Sequence, residues 1–217
     1  MSVYLDYNAT TPIDPRVLDF MIEIYRNDPG NADSRTHDFG EQARKVTENA
    51  RKQVAELLGV TPEDVFFTSG STESNNIAIQ GLREYAASTG KKHIITTSIE
   101  HKSVLNTVKY MESQGFDVDY VSPDLSGRVS AEDVLSRIRE DSLLVSIMHV
   151  NNETGTIQPV KEIGDALAEK EVLFHVDATQ SCGKLVDEIC DPHQAMPCLS
   201  APTATSPHAL RALVIRS

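Results

Sequence analysis

The stretch "HIITTSIEHKSVLNTVKYMESQGFDVDYVS" (93–122) contains one complete strand–helix–strand unit. Its opening run, "HIITT" (93–97), is short, apolar and rich in β-branched residues, which predicts a strand. A helical pattern runs from about 102 to 114, and "FDVDYVS" (116–122) reads as the next strand. Two strands joined by a helix of this length imply a right-handed crossover, which leaves the strands parallel.

The same alternation extends in both directions. Upstream, "DFGEQARKVTENARKQVAELLG" (38–59) places Phe39, Ala43, Val46, Ala50, Val54 and Leu57 on one helical face, with Gly59 as a stop. The run "VFFT" (65–68) predicts a strand, and a helical stretch follows from about 72 to 88. Downstream, "SAEDVLSRIRE" (130–140) and "VKEIGDALAEK" (160–170) predict helices, while "LLVSIMHV" (143–150) and "VLFHVD" (172–177) predict strands. The expected fold is α/β, a three-layer domain with a mostly parallel sheet flanked by helices. Residues 1–37, with Pro12, Pro15 and Pro29, read as an irregular N-terminal arm, and residues 38–189 as the sheet-bearing domain. In 190–217 prolines fall at 192, 197, 202 and 207, a spacing that predicts neither a helix nor a central strand.

Composition narrows the function classes. A formal net charge of −12 over 217 residues leaves no clustered cations to neutralise a phosphate backbone, so nucleic acid is not the expected ligand. The start, "MSVYLDYNAT", lacks a basic segment followed by an apolar run, and no stretch reaches the length of a membrane span, so the expected location is the cytoplasm. Cys182, Cys190 and Cys198 form neither an even disulfide framework nor a C-x-x-C metal pair; unpaired thiols and no metal site are expected.

An open parallel sheet binds ligands beyond the carboxyl ends of its strands. After "VFFT" comes "SGSTESNN" (69–76), small residues at a strand-to-helix turn that suit a phosphate or simply cap the helix. After "HIITT" comes His101, at a helix start, where an imidazole caps the helix, stacks on a ring or moves protons. After "LLVSIMHV" come Asn151, Asn152 and Glu153, which also suit a turn. After "VLFHV" comes Asp177, a carboxylate at a buried strand end that needs a basic partner, an ion pair or a helix to cap. Together these strand ends offer a phosphate cup, an imidazole, an amide and a carboxylate, the set that pyridoxal phosphate requires.

At these residues the sequence resembles the cysteine desulfurases (NifS/IscS-like) of the class V aminotransferases, within fold type I of the pyridoxal-phosphate enzymes. The matching stretches are "YLDYNATTP" (4–12), "GNADSRTHDFG" (30–40), "FFTSGSTESNN" (66–76), "HIITTSIEHKSVL" (93–105), "VSIMHVNNETGTIQP" (145–159) and "FHVDATQSCGKL" (174–185). Ala32 stands where the family usually shows proline. The resemblance implies the large domain of a pyridoxal-phosphate transferase, with pyridoxal 5'-phosphate as cofactor. Ser71 and Thr72 would hold its phosphate; His101 would stack on the ring and take part in proton transfer. Asn152 would sit by the substrate carboxylate and the phenolate side of the ring, Asp177 would pair with the ring nitrogen, and Gln180 would bond the ring hydroxyl.

The resemblance also implies conversion of L-cysteine to alanine with an enzyme-bound persulfide, a sulfur-acceptor scaffold as partner, and a homodimer. Two departures bear on that activity. Aligned without gaps on the family's S-x-H-K motif, Ser200 takes the serine, Pro202 the histidine and Thr203 the lysine, and Lys184 is the last lysine in the sequence. Threonine has no primary amine to anchor the cofactor covalently. The family's smaller C-terminal domain, which carries the persulfide cysteine, is expected to be absent, and none of Cys182, Cys190 and Cys198 matches that cysteine. The expectation is an incomplete, inactive cofactor-domain fragment, altered by paired frameshifts near residues 189 and 211. The alternatives are a non-catalytic protein that binds the cofactor or a partner, a related class V aminotransferase, and a selenocysteine lyase.

Overall fold

The computed structural model describes residues 2–5, 10–27, 29–185, 198–202 and 211–215, the side chains of 198–202, Arg211 and Ala212 excepted. In chain order the elements are α1 (Pro15–Asn27), α2 (Asp38–Leu58), a 3-10 turn (Pro62–Asp64), β1 (Val65–Phe67), α3 (Ser71–Gln80), α4 (Arg83–Thr89), β2 (His93–Thr97), α5 (Lys102–Ser113) and β3 (Asp117–Val121). Then follow α6 (Ala131–Ser136), β4 (Ser142–Met148), α7 (Val160–Leu167), β5 (Leu173–Asp177), β6 (Cys198–Pro202) and β7 (Arg211–Ile215). The strands form one sheet in the order β1-β7-β6-β5-β4-β2-β3. Neighbours from β6 to β3 pair in parallel, and β7 runs against both β6 and β1. The expected mostly parallel α/β sheet is therefore observed. No helix among the described residues is long and apolar enough to cross a membrane.

Strand composition follows from burial on both faces. Every residue of β2 and β4 is buried, and neighbours along a strand serve opposite cores. Ile95, Val145 and Ile147 pack with Val54 and Leu58 of α2, Val134 of α6 and Ile163 of α7. Ile94 and Leu144 face the other way, onto Ile79 of α3, Ala86 of α4 and Val104, Val108 and Met111 of α5. The two cores make the sheet the middle of three layers.

Several boundaries differ from the sequence reading. The arm is not wholly irregular: Pro15 opens α1, whose first turn is held by Asp14, its carboxylate accepting from Arg16 N at 2.9 Å and its carbonyl from Val17 and Leu18. Proline suits a first helical position because its missing N–H would be unpaired there anyway. The stretch 72–88 is two helices, broken at Gly81 and Leu82. In α2 the buried residues are Gly40, Val54, Ala55 and Leu58, while Phe39 and Leu57 of the expected stripe are exposed. Gly59 does stop the helix, in the left-handed conformation at φ 64°, its N–H reaching the carbonyls of Ala55 and Glu56.

The largest correction concerns the tail. β6 and β7 are inner strands of the sheet, in a segment where the prolines argued against any. The reason is placement: Pro202 is the last residue of β6, so 198–201 form the strand free of proline, and β7 contains none. Cys190 and Thr203 lie outside the described residues.

Candidate active site

The first strand-to-strand step out of β2 runs to β3 at the sheet edge, and the next returns across it to β4 on the other side. At such a reversal the chain leaves neighbouring strands in opposite directions and opens a crevice at their carboxyl ends. Glu100, 5% exposed, lies between the ends of β2 and β4. Its Oε1 accepts from Thr97 Oγ1 at 2.7 Å, at the end of β2, and from Met148 N at 2.9 Å, at the end of β4. Asn151 makes a second tie between the same loops: its Nδ2 donates to the Ile99 carbonyl at 3.1 Å, and its Oδ1 accepts from Glu153 N and Thr154 N. Burial pushes the Glu100 carboxyl up to about 8, the nearby Asp177 charge adding to the rise and the two hydrogen bonds opposing it.

One strand further, Asp177 ends β5 and is 4% exposed. Its backbone is in register with Met148 on one side and Ser200 of β6 on the other. Oδ1 accepts from Thr179 N at 3.0 Å, and Oδ2 from Asn75 Nδ2 at 2.9 Å. Asn75 reaches that point because α3, after leaving β1, packs across β5, β6 and β7 and beside α5. The same Nδ2 also donates to Ser103 Oγ at 2.9 Å, and Ser103 Oγ lies 2.8 Å from His101 Nδ1. His101 is the N-cap of α5 and accepts from Ser103 N at 3.2 Å. A continuous hydrogen-bonded chain thus joins Asp177 to His101.

His101 and Thr72 line one cavity of about 380 Å³, together with Asn76, Gln80, Asn106 and Tyr110. Ser71 is the first residue of α3, next to Gly70 at the N-cap. In that turn Glu73 already accepts from Ser69 N at 2.5 Å, and this bond holds the Glu73 carboxyl below the usual carboxylate range. Asn152, half-buried in the loop after β4, donates to Glu153 at 2.9 Å. Gln180 follows Asp177 in the turn after β5 and is also half-buried. Beneath Asp177, on the same strand, His175 is buried and its Nδ1 lies 2.8 Å from Ser146 Oγ. Burial lowers the His175 imidazole to about 4, outweighing the nearby Asp177 carboxylate. Cys182 is 2% exposed.

The sequence reading therefore brings Thr72 and His101 to one cavity and ties His101 to Asp177, while Asn152 and Gln180 sit at the carboxyl ends of β4 and β5. It did not single out Asn75, Ser103 or Glu100. The only trace of them in the sequence is their position within "SNN" and "SIEHKS", next to residues chosen for other reasons.

Comparison with known proteins shows the family and the fold. Residues 3–189 match the family aminotransferase class-V. The whole chain is 46% identical to a cysteine desulfurase IscS of Stutzerimonas stutzeri (strain A1501), of which it covers 54%. It superposes in full on 60% of a solved NifS-like protein with a TM-score of 0.91 at 42% identity. It also superposes in full on 62% of SspA, solved in complex with cysteine, with a TM-score of 0.90 at 40% identity. The chain spans about half the length of the curated relatives it matches. A seven-stranded sheet with β7 alone reversed, a buried Asp177 at the end of β5 and a match over residues 3–189 make one conclusion: the chain belongs to the aminotransferase class-V family.

Proposed function

We propose that the chain carries the cofactor pocket of a cysteine desulfurase-type protein and binds pyridoxal 5'-phosphate there. The observation that carries this reading is the buried Asp177, joined through Asn75 and Ser103 to His101, which itself shares a cavity with Thr72. The residues fit the group. Each Asp177 oxygen accepts one hydrogen bond and keeps room for another, and the buried Thr179 Oγ1 beside it has no partner among the described residues. A protonated ring nitrogen supplies the cation that a buried carboxylate needs.

In this reading Asp177 holds the ring nitrogen, Ser71 and Thr72 take the phosphate at the start of α3, and His101 stacks on the ring. Gln180 bonds the ring hydroxyl, Asn152 orients the substrate carboxylate, and Ser200 adds a contact from β6. When bound, the cofactor withdraws electrons from the substrate α-carbon. Glu100 keeps the loops after β2 and β4 together so that His101 and Asn152 face one site. L-cysteine is the substrate class, with support from the relative solved with cysteine and from the desulfurase relatives. Alanine and a persulfide are the products of the complete activity, and a second copy and a sulfur-accepting scaffold its partners.

Thr203 at the lysine register gives the reading its particular form: this chain holds the cofactor without a covalent bond and does not turn over cysteine. Ser200, three residues before it, keeps its register beside Asp177. The test is to add pyridoxal phosphate to the purified chain, dialyse, and treat the retained complex with borohydride. Retention at one per chain with a free-aldehyde spectrum, no cofactor mass fixed to the protein, and at least tenfold weaker retention by Asp177→Ala are expected. Absence of retention overturns the site; a cofactor mass fixed on a lysine overturns the non-covalent form.

A further inference from the structure

We propose that Asn75 and Ser103 are positioning residues that fix the neutral His101 imidazole with its hydrogen on Nε2, so that His101 offers the cavity a hydrogen-bond donor rather than a base. Direction in this chain of bonds starts at Asp177. A carboxylate only accepts, so the Asn75 amide must turn its NH2 toward it; the reverse orientation would set two oxygens against each other. The NH2 group has a second hydrogen, and it goes to Ser103 Oγ at 2.9 Å.

Ser103 Oγ, having accepted that bond, directs its own hydrogen to the acceptor 2.8 Å away, His101 Nδ1. Ser103 N–H, which can only donate, points at the same nitrogen from 3.2 Å. Two donors converge on Nδ1. In a neutral imidazole one nitrogen accepts and the other carries the hydrogen, which leaves the hydrogen on Nε2. A base at Nε2 would need the other form, with Nδ1–H directed at Ser103 N–H. The lone pair of the neutral ring is therefore engaged at Nδ1, and the free nitrogen of this cavity-lining side chain carries N–H.

Asn75 and Ser103 are 0% and 6% exposed, so the bond between them is shielded from water. The Asn75 side-chain oxygen has no partner among the described residues, where the amide is held by its donor bonds. The consequence for holding the cofactor rests on the cofactor reading above; the ring form does not, and it is measured without cofactor.

The experiment is long-range 1H–15N NMR of the 15N-histidine-labelled chain at a pH where His101 is neutral, with the His101 signals identified by their loss in His101→Gln. The expected wild-type pattern has a pyridine-like Nδ1 and a pyrrole-like Nε2, without averaging between them. Ser103→Ala and Asn75→Ala should each move the two 15N shifts toward one another, and Ser103→Thr, which keeps the hydroxyl, should restore the wild-type separation. A wild-type ring that is averaged or carries Nδ1–H overturns the proposal. So does an unchanged pattern in both alanine variants, because the backbone N–H of Ser103 would then suffice. Failure of cofactor retention with the expected NMR pattern would sink the proposed function alone.

Discussion

β4 and β5 on one side, and β6 and β7 on the other, are neighbouring pairs in one sheet built in opposite ways. β4 and β5 are parallel, separated by α7, and apolar enough that every residue but Leu173 is buried. β6 and β7 are antiparallel and lie in a segment whose prolines read as a break. Both pairs nevertheless hold register with the same strand end, Met148 on one side of Asp177 and Ser200 on the other. The lesson is that sheet membership is decided by backbone pairing over a few residues, so four proline-free residues closed by Pro202 are enough for an inner strand. Apolar pattern is the clearer mark of a strand only where both faces are covered.

Two core truncations test whether the pairs are equivalent. Ile147→Ala in β4, at a fully buried position, should cost about 2–5 kcal/mol in urea unfolding. Leu213→Ala in β7, 1% exposed, should cost about as much if β7 packs as β4 does. A loss under about 1 kcal/mol for Leu213→Ala, with the full loss for Ile147→Ala, would separate the pairs and show β7 as a loosely held addition to the sheet.

A smaller effect is expected at the strand-end network between the pairs. Asn75→Ala removes one donor from the buried Asp177 and one from Ser103 and should destabilise by about 1–3 kcal/mol by the same measurement. An unchanged midpoint would mean that water replaces the amide.

The pH dependence sharpens the contrast further. Glu100, raised from 4.5 to about 8, keeps its proton in the folded chain after the unfolded chain has lost it, so its contribution to stability falls as pH rises across that window. His175, lowered from 6.5 to about 4, acts oppositely: the unfolded chain takes up the proton first, and stability falls as pH drops from 6.5 to 4. The two oppose each other between 4.5 and 6.5, and Glu100 acts without His175 from 6.5 to 8. Melting temperatures of Glu100→Gln should therefore lose the wild-type fall from pH 6.5 to 8 and show a steeper fall on the acid side. Parallel curves for the two proteins would remove Glu100 from the account. The smallest effect belongs to Phe39→Ser, on the half of the expected α2 stripe that proves 57% exposed: within about 0.5 kcal/mol of the wild type, against the large loss expected at Ile147.

The sequence was most legible where one physical rule acts alone. "HIITT" became β2 residue for residue, because a run of β-branched and apolar side chains in a buried strand has few alternatives. α1 was missed because Pro15 was read as a breaker, though at a first helical position behind Asp14 it is a start. The apolar stripe of α2 was drawn from spacing, yet Phe39 is exposed and Ala55 buried, since only the last turns of that helix lie on the sheet. At the site, Thr72, His101 and Asp177 were legible as residues at strand ends. Asn75 and Ser103 were not, because they lie 28 residues apart and Asn75 lies 102 residues from Asp177.

By itself the sequence determined the alternation of strands and helices, the strand ends at which polar residues collect, and the family, since each depends on short-range pattern and on motif order. Only the tertiary structure decided that β7 lies reversed between β6 and β1, that α3 and α5 meet over the end of β5, and that one amide and one hydroxyl link Asp177 to His101. The physical reason is that hydrogen-bond direction and burial are properties of groups brought together from distant parts of the chain. Asp177 accepts, and the order of donors behind it follows only once packing has set Asn75 and Ser103 in line.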